Sequence, residues 1–489
     1  MTAITSLGVG TNGLDLEGLV SKQMAAEQIP LTQIQQRTDS LKTQLSAYGQ
    51  VQSAVAAMRD AAAKLNSVDT WGASTATSSD AGSVAVSSTT GAALGNVSVG
   101  VTRIATAQTL ASGVAANATD AFGGGALTIE LGSWNADQSG FTAKSGATAV
   151  TINIDPGSSL STIRDKINAS GAGVSASIVT DSTGSRLVMR ANSTGQSNGF
   201  RVTANDGDGN SGDAAGLSAL AFDPSSGVNS MTQKVAAGNA IATVNGLDIN
   251  SETNTLTTAV DGLTISLLKP TTVAGVPNDV SLTVSQDSTS IKTKITAFVT
   301  AYNALANLLR TDTKYDDATK TAGTLQGDSA AVGLQNQLRS IIGGTSALGG
   351  AFSRLADIGL DPGKDGTISV NDSKLSAGLA DAASVKKLFM GLDPSNTSSD
   401  SSASDGFAQR LRSFGDQVLG IDGSLTTRQS GLQSQIDSSN KRADDFQAHL
   451  DLVEKRLRAR YTSLDTQMGQ LNSLSTYINQ QVTQWSNNG

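Results

Sequence analysis

Apolar residues recur at steps of three and four near both ends of the chain, which is the spacing of one face of an α-helix. The clearest stretch is 461–485, which contains one charged side chain, Asp465, and no proline. A helix of this kind needs packing to persist, because isolated helices are marginal in water. We therefore predict that its apolar stripe packs against another subunit or another protein. The stripe consists of Leu464, Met468, Leu471, Leu474, Ile478, Val482 and Trp485.

Three further stripes predict a helical stalk of coiled-coil type. They lie at 31–65, directly after Pro30, at 291–309, and at 425–457, which follows a predicted break near Gly420. We expect the three to pack against one another, since each would otherwise expose its apolar face. Their apolar positions include Leu41, Leu45, Tyr48, Val51, Val55, Met58, Ile291, Ile295, Phe298, Tyr302, Leu305, Phe446, Leu450, Val453 and Leu457.

The middle of the chain, 71–287, has the pattern of β structure. Short alternating runs such as AVTINID and SRLVMRA are separated by turn-rich pieces such as FGGG and DPGSS. One helix interrupts the strands, with Ser159 as its N-cap and Leu160, Ile163 and Ile167 on one face. The sequence therefore predicts an α+β multidomain fold. In this fold both chain ends build a helical, coiled-coil-like stalk, and a β-rich head of two domains is inserted between them.

Changes in pattern along the 489 residues give the expected domains, of which length alone predicts about three. The predicted domains are a flexible N-terminal segment at 1–36 that forms a terminal domain with 461–489, a leg domain at 37–70 plus 288–460, a β-rich head domain at 71–112 plus 231–287, and a second β-rich head domain at 113–230 inserted in the first. Both chain ends are thus expected to meet in the stalk.

Composition excludes several kinds of site. The chain has no cysteine and one histidine, His449, which rules out disulfides, thiolate metal sites and His-rich metal sites. Its 34 Lys and Arg against 42 Asp and Glu give a net charge of -8, which disfavours a nucleic-acid partner. No window approaches the roughly 18 apolar residues of a membrane span. The first residues lack the pattern of a cleaved secretory signal.

The motifs of common active and metal sites are missing or incomplete. The sequence has no phosphate-binding loop, and no pair of carboxylates stands out among its 42 acidic residues. Asp206, Asp208 and Asn210 are placed like the first ligands of a calcium loop, but Ser211 and Leu217 stand where that loop needs Gly and Glu. A solvated hairpin turn is the favoured interpretation. We therefore expect no enzyme activity, no cofactor and no bound metal.

Several strings follow one another in a recognisable order. The opening ITSLGVGTNGLDLEGLV, the strand VSVGVTRIATAQTLAS and the closing YTSLDTQMGQLNSLSTYI are the clearest. Between them, GVSASIVTDSTGSRLVMRANSTG is similar to a small repeat shared by hook and flagellin-type head domains, and LQGDSA, LADIGL and DGTISVNDSKL come later. In this order, and over nearly the whole chain, the strings resemble the flagellar hook-associated protein 2 (FliD) family, which caps the growing tip of the bacterial flagellar filament.

The resemblance implies a structural protein of bacterial motility. Such a protein forms a ring-like homo-oligomer at the distal tip of the filament, where it promotes folding and insertion of exported flagellin and prevents its loss. The implied partners are other copies of the chain, flagellin, neighbouring hook-associated proteins, the flagellar export apparatus and an export chaperone. The implied location is extracellular, at the flagellum tip, after export through the flagellar type III system without a cleaved signal peptide.

Carried onto this chain, the resemblance places assembly contacts in the terminal segments. These contacts are Leu14, Leu16 and Leu19 near the start, together with the stripe that ends at Trp485. An alternative is a surface adhesin, in which the β-rich head binds a host glycan or protein and the stalk displays it. The low aromatic content of 4% argues against a sugar-binding platform.

Overall fold

The structure is a computed structural model that describes residues 15–211, 213–272, 278–348, 350–392, 402 and 404–487. The chain forms two compact units. The helical unit combines Met1–Trp71 with Ser288–Gly489, and the β-rich unit is Gly72–Asp287. Both chain ends therefore belong to one unit, and the β-rich unit is inserted between them in the sequence. This arrangement confirms the predicted α+β multidomain class.

Ten α-helices lie within the described residues. In chain order they are α1 (Leu16–Glu27), α2 (Ile29–Leu65), α3 (Val68–Trp71), α4 (Leu160–Ala169), α5 (Ser288–Thr313), α6 (Ser329–Gly343), α7 (Asp372–Gly378), α8 (Ala382–Phe389), α9 (Phe407–Leu419) and α10 (Ser424–Asn487). The predicted break near Gly420 is confirmed, since it separates α9 from α10. A Cβ at Gly423 would lie 2.2 Å from the Val418 carbonyl oxygen, so this tight turn requires glycine.

The core of the helical unit is built from the apolar faces of α2, α5 and α9 and is completed by residues of α6, α8 and α10. Tyr48, Phe298 and Tyr302 are among its largest fully buried side chains. At one end of α2, the Trp71 ring stacks on Phe389, and its Nε1–H donates to the Leu65 carbonyl oxygen at 2.7 Å. The predicted packing of the stripes at 31–65 and 291–309 is confirmed by this shared core.

One polar network joins three helices of this unit. Asp328 is the N-cap of α6, and its carboxylate accepts hydrogen bonds from the Tyr48 hydroxyl at 2.6 Å and from Arg428 Nη2 at 2.7 Å. Burial alone would raise the pKa of Asp328, but the hydrogen bonds from Tyr48 and Arg428 outweigh burial and lower that pKa. Burial and the bond to Asp328 raise the pKa of Tyr48. One ionised carboxylate thus connects α2, α6 and α10.

The strands are short, and most of them belong to the β-rich unit. In chain order they are β1 (Ser74–Ser78), β2 (Val84–Ser88), β3 (Gly95–Arg103), β4 (Thr109–Ala111), β5 (Gly125–Trp134), β6 (Phe141–Ala143), β7 (Val150–Ile154), β8 (Val174–Asp181), β9 (Gly184–Ala191), β10 (Gly199–Asp206), β11 (Phe222–Asp223), β12 (Val228–Asn229), β13 (Thr232–Val235), β14 (Ala240–Val244), β15 (Leu247–Ser251), β16 (Thr255–Leu256), β17 (Leu263–Leu267), β18 (Val280–Gln286), β19 (Tyr315–Asp316), β20 (Thr321–Ala322), β21 (Leu360–Pro362) and β22 (Ile368–Val370).

The β-rich unit contains two apolar cores. The first is shared by a five-stranded sheet in the order β1-β18-β3-β14-β15 and a three-stranded sheet in the order β16-β17-β2. The second is shared by the β12-β11-β10-β5-β6 sheet, on which β7 also pairs with β5, the β13-β4-β9-β8 sheet, and α4. As predicted, Ser159 caps α4 and accepts the Thr162 N–H at 3.2 Å, while Leu160 and Ile163 are fully buried.

A buried glutamine lies where the chain passes from the first core into the second. Thr106 and Gly238 pair as an antiparallel bridge between the two connecting segments. Close by, the fully buried Gln108 donates its Nε2–H to the Phe200 carbonyl oxygen and accepts the Phe200 N–H, both at 2.8 Å. The Gln108 side chain therefore pairs the Phe200 N–H and carbonyl oxygen, as the backbone of a neighbouring strand would.

The helices continue across two of the predicted domain bounds. α2 runs through residue 36, and α10 runs through residue 460. In the β-rich unit, the residues of the first core occur up to Ala105 and again from Ala240 onward. The residues of the second core lie between these two stretches, from Ala107 to Met231. The predicted bounds, and the flexibility of 1–36, stay predictions.

The calcium-like string forms a turn after β10. Asp206 is buried, and its Oδ2 accepts the Ser218 N–H at 2.9 Å, so this carboxylate is engaged in the local fold. Asp208 accepts the Asn210 N–H at 2.8 Å across the turn. Across the described ranges, no three His, Cys, Asp or Glu side chains are grouped so that they could hold a metal ion.

Candidate assembly surface

α10 dominates the C-terminal part of the helical unit. It has 64 residues and is therefore about 95 Å long at 1.5 Å per residue. Its apolar stripe passes through three environments in succession. It first lies in the core of the unit, then against α1, and finally in solvent.

In its first part, α10 packs antiparallel to α2. Leu432 and Ile436 are buried in the core of the unit. Further along, Thr38 and Ser439 are both buried, and their hydroxyl oxygens lie 2.7 Å apart, so a polar layer interrupts the apolar seam. Such a layer fixes the register of two helices, because any slip would leave a buried hydroxyl unpaired.

In its middle part, α10 packs against α1. Val20 and Met24 of α1 are buried against Leu450. Around them lie the partly buried apolar residues Leu31, Phe446, Val453, Leu457 and Tyr461. Asp15 is the N-cap of α1, and its Oδ1 accepts the Gly18 N–H at 2.8 Å. This cap satisfies one of the free backbone N–H groups in the first turn of α1.

An exposed ion pair borders this apolar cluster. The Arg458 guanidinium forms a two-pronged contact with Glu17, with its Nη1 and Nη2 at 2.7 and 2.6 Å from the carboxylate oxygens. Its Nε also bonds Glu454 at 2.8 Å. The hydrogen bond from Arg458 lowers the pKa of Glu17, and the bond to Glu17 raises the pKa of Arg458. The pairing of Arg458 with Glu17 therefore helps to orient α1 on α10.

Beyond Tyr461 the stripe of α10 is exposed to solvent. Leu471 is 64% exposed and Trp485 is 75% exposed, and both Leu474 and Ile478 are at least half exposed. From Leu464 to Trp485 the stripe extends over about 30 Å. Large apolar side chains are mostly buried in folded proteins, and contiguous exposed apolar surface is a feature of interaction sites, so the stripe is a candidate assembly surface.

The structure places the predicted assembly residues in different environments. Leu464, Met468 and Val482 are exposed like the rest of the stripe, Leu19 is exposed, and Leu16 is half-buried. Leu14 lies outside the described residues. The role of these residues as assembly contacts stays a prediction. The predicted leg residues that lie buried or partly buried in the two helical clusters are Leu41, Leu45, Tyr48, Val51, Val55, Met58, Ile291, Ile295, Phe298, Tyr302, Leu305, Phe446, Leu450, Val453 and Leu457.

Two features of this surface are missing from the sequence prediction. Tyr477 is 58% exposed and lies beside the stripe rather than on it. The pairing of Glu17 with Arg458 joins residues 441 positions apart, and no local pattern signals such a contact. Tyr477 directly precedes the stripe residue Ile478, and a large aromatic side chain at the edge of an apolar stripe is a signal that the sequence does contain.

The remaining chemistry of the helical unit is sparse. His449 is exposed on α10, with its ring 6.0 Å from the Phe446 ring. Among the helices that the structure describes, none is both long and apolar enough to cross a membrane.

Comparison with known proteins identifies relatives over the whole length of the chain. The chain matches the family models "Flagellar hook-associated protein 2 N-terminus" at residues 12–108 and "Flagellar hook-associated protein 2 C-terminus" at residues 237–473. Residues 139–193 match the "Flagellin hook IN motif". The whole chain is 33% identical to the flagellar hook-associated protein 2 of Escherichia coli strain K12 over 507 residues, with 100% of both chains covered.

A second relative and a solved structure agree with this result. The chain is 30% identical to the B-type flagellar hook-associated protein 2 of Pseudomonas aeruginosa, with 96% of this chain and 95% of the relative covered. The crystal structure of the D1-D2-D3 domains of the flagellar cap protein FliD from Escherichia coli superposes with a TM-score of 0.58 at 30% identity, covering 79% of this chain and 99% of that one. The resemblance seen in the sequence is thus confirmed, and the chain belongs to the flagellar hook-associated protein 2 family, a family of structural flagellar cap proteins.

Proposed function

We propose that this chain caps the distal tip of the bacterial flagellar filament as a homo-oligomer, and that the exposed stripe of α10 is a contact to a neighbouring chain. The stripe from Leu464 to Trp485 is the observation that carries the proposal, since it is apolar and exposed. Burial of apolar surface contributes about 25 cal/mol per Å². Assembly would therefore be favoured wherever a partner covers the stripe.

The cap acts by binding and positioning rather than by bond chemistry. Its proposed partners are other copies of the chain, flagellin, neighbouring hook-associated proteins, the export apparatus and an export chaperone. In this role it promotes folding and insertion of each exported flagellin subunit and prevents its loss. The relatives named for flagellar caps and hook-associated proteins support this class of function.

We place the cap outside the cell, at the flagellum tip, after export through the flagellar type III system. The absence of cysteine from all 489 residues supports this location. A chain that folds outside the cell without thiols cannot form mispaired disulfides.

Polar substitution of the stripe tests the proposed function. We expect the triple variant Leu471→Ser, Leu474→Ser and Ile478→Ser to fold like the wild type, because these side chains are exposed in the single chain. The variant is produced in flagellated cells from which the gene for this chain has been deleted. Their filaments should be shorter than with the wild-type chain, and the medium should contain several-fold more flagellin. Electron microscopy of filaments and immunoblots of the culture medium measure both quantities.

A matched control lies on the opposite face of the same helix. Ser473→Ala, Thr476→Ala and Gln480→Ala change three polar side chains about half a turn away from the stripe. This variant should cap like the wild type. Normal filaments from a folded stripe variant would show that the stripe is dispensable and would contradict the proposal. They are also the result expected of a surface adhesin.

A further inference from the structure

The part of the helical unit in which α10 packs against α2 carries opposite charges on its two sides. On α10, Arg442, His449 and Arg456 are spaced by seven residues, and so are Asp437, Asp444 and Asp451. Residues seven apart lie along one line of a helix. Arg442 and Asp444 are two residues apart and therefore lie about 160° from each other around the axis. α10 thus has a basic line and an acidic line on nearly opposite faces.

The basic line borders a groove between α2 and α10. The groove has a volume of ≈ 550 Å³, and its lining includes Ile34, Leu41 and Phe446. Arg37 of α2 and Arg442 of α10 also line it, so both helices contribute a cation. Both arginines are exposed. The groove therefore combines an apolar surface with positive charge.

The charged side chains of both lines are available for a partner. Asp437 and Asp451 accept hydrogen bonds from the neutral amides of Gln433 and Gln447, at 2.8 and 2.9 Å. In the part of the chain that the structure describes, the charged residues of the two lines and of the groove form no ion pair; they are Arg37, Arg442, Arg456, Asp437, Asp444 and Asp451. Asp445 is the residue of opposite sign beside the basic line. Lys441 and Lys455 lie beside the acidic line, and Arg458, seven residues after Asp451, is paired with Glu17 and Glu454.

We propose that a second copy of this chain docks side by side and parallel to the first, with its acidic line against the groove and basic line of its neighbour. In a parallel pair the two lines meet at the same height, because both belong to α10 and share the seven-residue spacing. Asp444 of one copy then lies between Arg442 and His449 of the next. This proposal rests on the proposed homo-oligomer and names its contact surface.

Charge geometry selects this arrangement over a two-fold dimer. A two-fold contact uses the same patch on both copies, so it would bring one basic line against the other, or one acidic line against the other. Like charges placed opposite each other are destabilising. A head-to-tail contact joins unlike faces and leaves one basic and one acidic side free on each pair. The free sides let further copies add in the same way, as a ring requires.

Charge reversal on each side tests the contact. The basic-side variant is Arg37→Glu, Arg442→Glu and Arg456→Glu, and the acidic-side variant is Asp437→Arg, Asp444→Arg and Asp451→Arg. Either variant should weaken self-association of the full chain by at least about tenfold, since three attractive pairs become repulsive. Light scattering over a concentration series at low ionic strength measures the association. Raising the salt concentration should weaken wild-type association, because exposed pairs are screened.

A combined variant distinguishes charge pairing from misfolding. A chain that carries both reversals has the same complementarity with the signs exchanged, and it should associate like the wild type. A control with Lys314→Glu, Lys320→Glu and Lys364→Glu has the same net charge change as the basic-side variant at exposed sites elsewhere. It should leave the association unchanged.

Three outcomes would overturn the inference. They are unchanged association of both single-side variants, failure of the combined variant to associate, and a wild-type chain that stays monomeric throughout the concentration series. The filament assay of the stripe variant is independent of these results. Unchanged association together with loss of capping by the stripe variant would reject this contact and leave the proposed function in place.

Discussion

Replacing Asp328 by Asn is expected to lower the free energy of unfolding of the helical unit by about 3 kcal/mol at neutral pH. The amide keeps the size of the side chain and its ability to cap α6. It removes the negative charge that the Arg428 guanidinium contacts at 2.7 Å. Because the Asp328 side chain is only 7% exposed, Arg428 loses a partner that water does not fully replace. Urea unfolding followed by far-ultraviolet circular dichroism measures the loss.

The Asp328 carboxylate should also account for part of the loss of stability of the fold in acid. The pKa of Asp328 is lower in the folded chain than in the unfolded chain, where it is about 3.9. Its stabilisation is therefore fully present above that unfolded pKa and is lost as the pH falls through the folded pKa. The Asp328→Asn variant should lose less stability than the wild type over this acid range.

A surface aspartate of the same unit provides the control. Asp361 is exposed on β21, and Asp361→Asn should change the free energy of unfolding by less than about 0.5 kcal/mol. If Asp328→Asn were as mild as this control, the network that joins α2, α6 and α10 would add little to stability, contrary to our expectation.

Replacing Gln108 by Ala is expected to destabilise the second core of the β-rich unit by about 3 kcal/mol. The substitution removes both hydrogen bonds to the Phe200 backbone and leaves its N–H and carbonyl oxygen buried without this partner. It also leaves a cavity where the amide was, because Gln108 is fully buried. Gln196 is exposed, and Gln196→Ala should change stability by less than about 0.5 kcal/mol.

Tryptophan fluorescence separates this core from the rest of the chain. Trp134 lies in the second core, and its Nε1–H donates to the same Phe200 carbonyl oxygen at 3.3 Å. With Trp71 and Trp485 replaced by Phe, Trp134 is the remaining tryptophan of the three. The denaturant midpoint of the Trp134 fluorescence change is then compared with and without Gln108→Ala. An unchanged midpoint would contradict the role given to Gln108.

The sequence predicts the long elements of this fold well, because their apolar positions repeat over many turns. The stripes that contain Tyr48 and Phe298 become the core of the helical unit, and the runs AVTINID and SRLVMRA become β7 and β9. α7 and α8 are shorter than three turns, so they hold too few repeats for a pattern. α6 does carry a signal, since Ala331, Leu334, Leu338 and Ile342 are spaced by three and four residues.

The candidate surface was only partly predictable for a different reason. The stripe from Leu464 to Trp485 is visible in the sequence, but whether it is buried depends on which other helix reaches it. Leu450 and Leu471 have similar neighbours in the sequence pattern, yet Leu450 is buried by α1 and Leu471 is 64% exposed. Buried polar residues such as Thr38 and Gln108 find their partners through the fold.

The continuity of α10 affects how tightly its exposed end can bind. Forming the first turn of a helix is unfavourable by a factor of about 1,000, or about 4 kcal/mol. The part of α10 that packs against α1 and α2 has already formed these turns, so residues 464–485 extend an existing helix by propagation alone. A partner therefore meets preformed spacing between Leu464 and Trp485. Compared with a separate peptide of the same sequence, this end of α10 should bind up to about 1,000-fold more tightly.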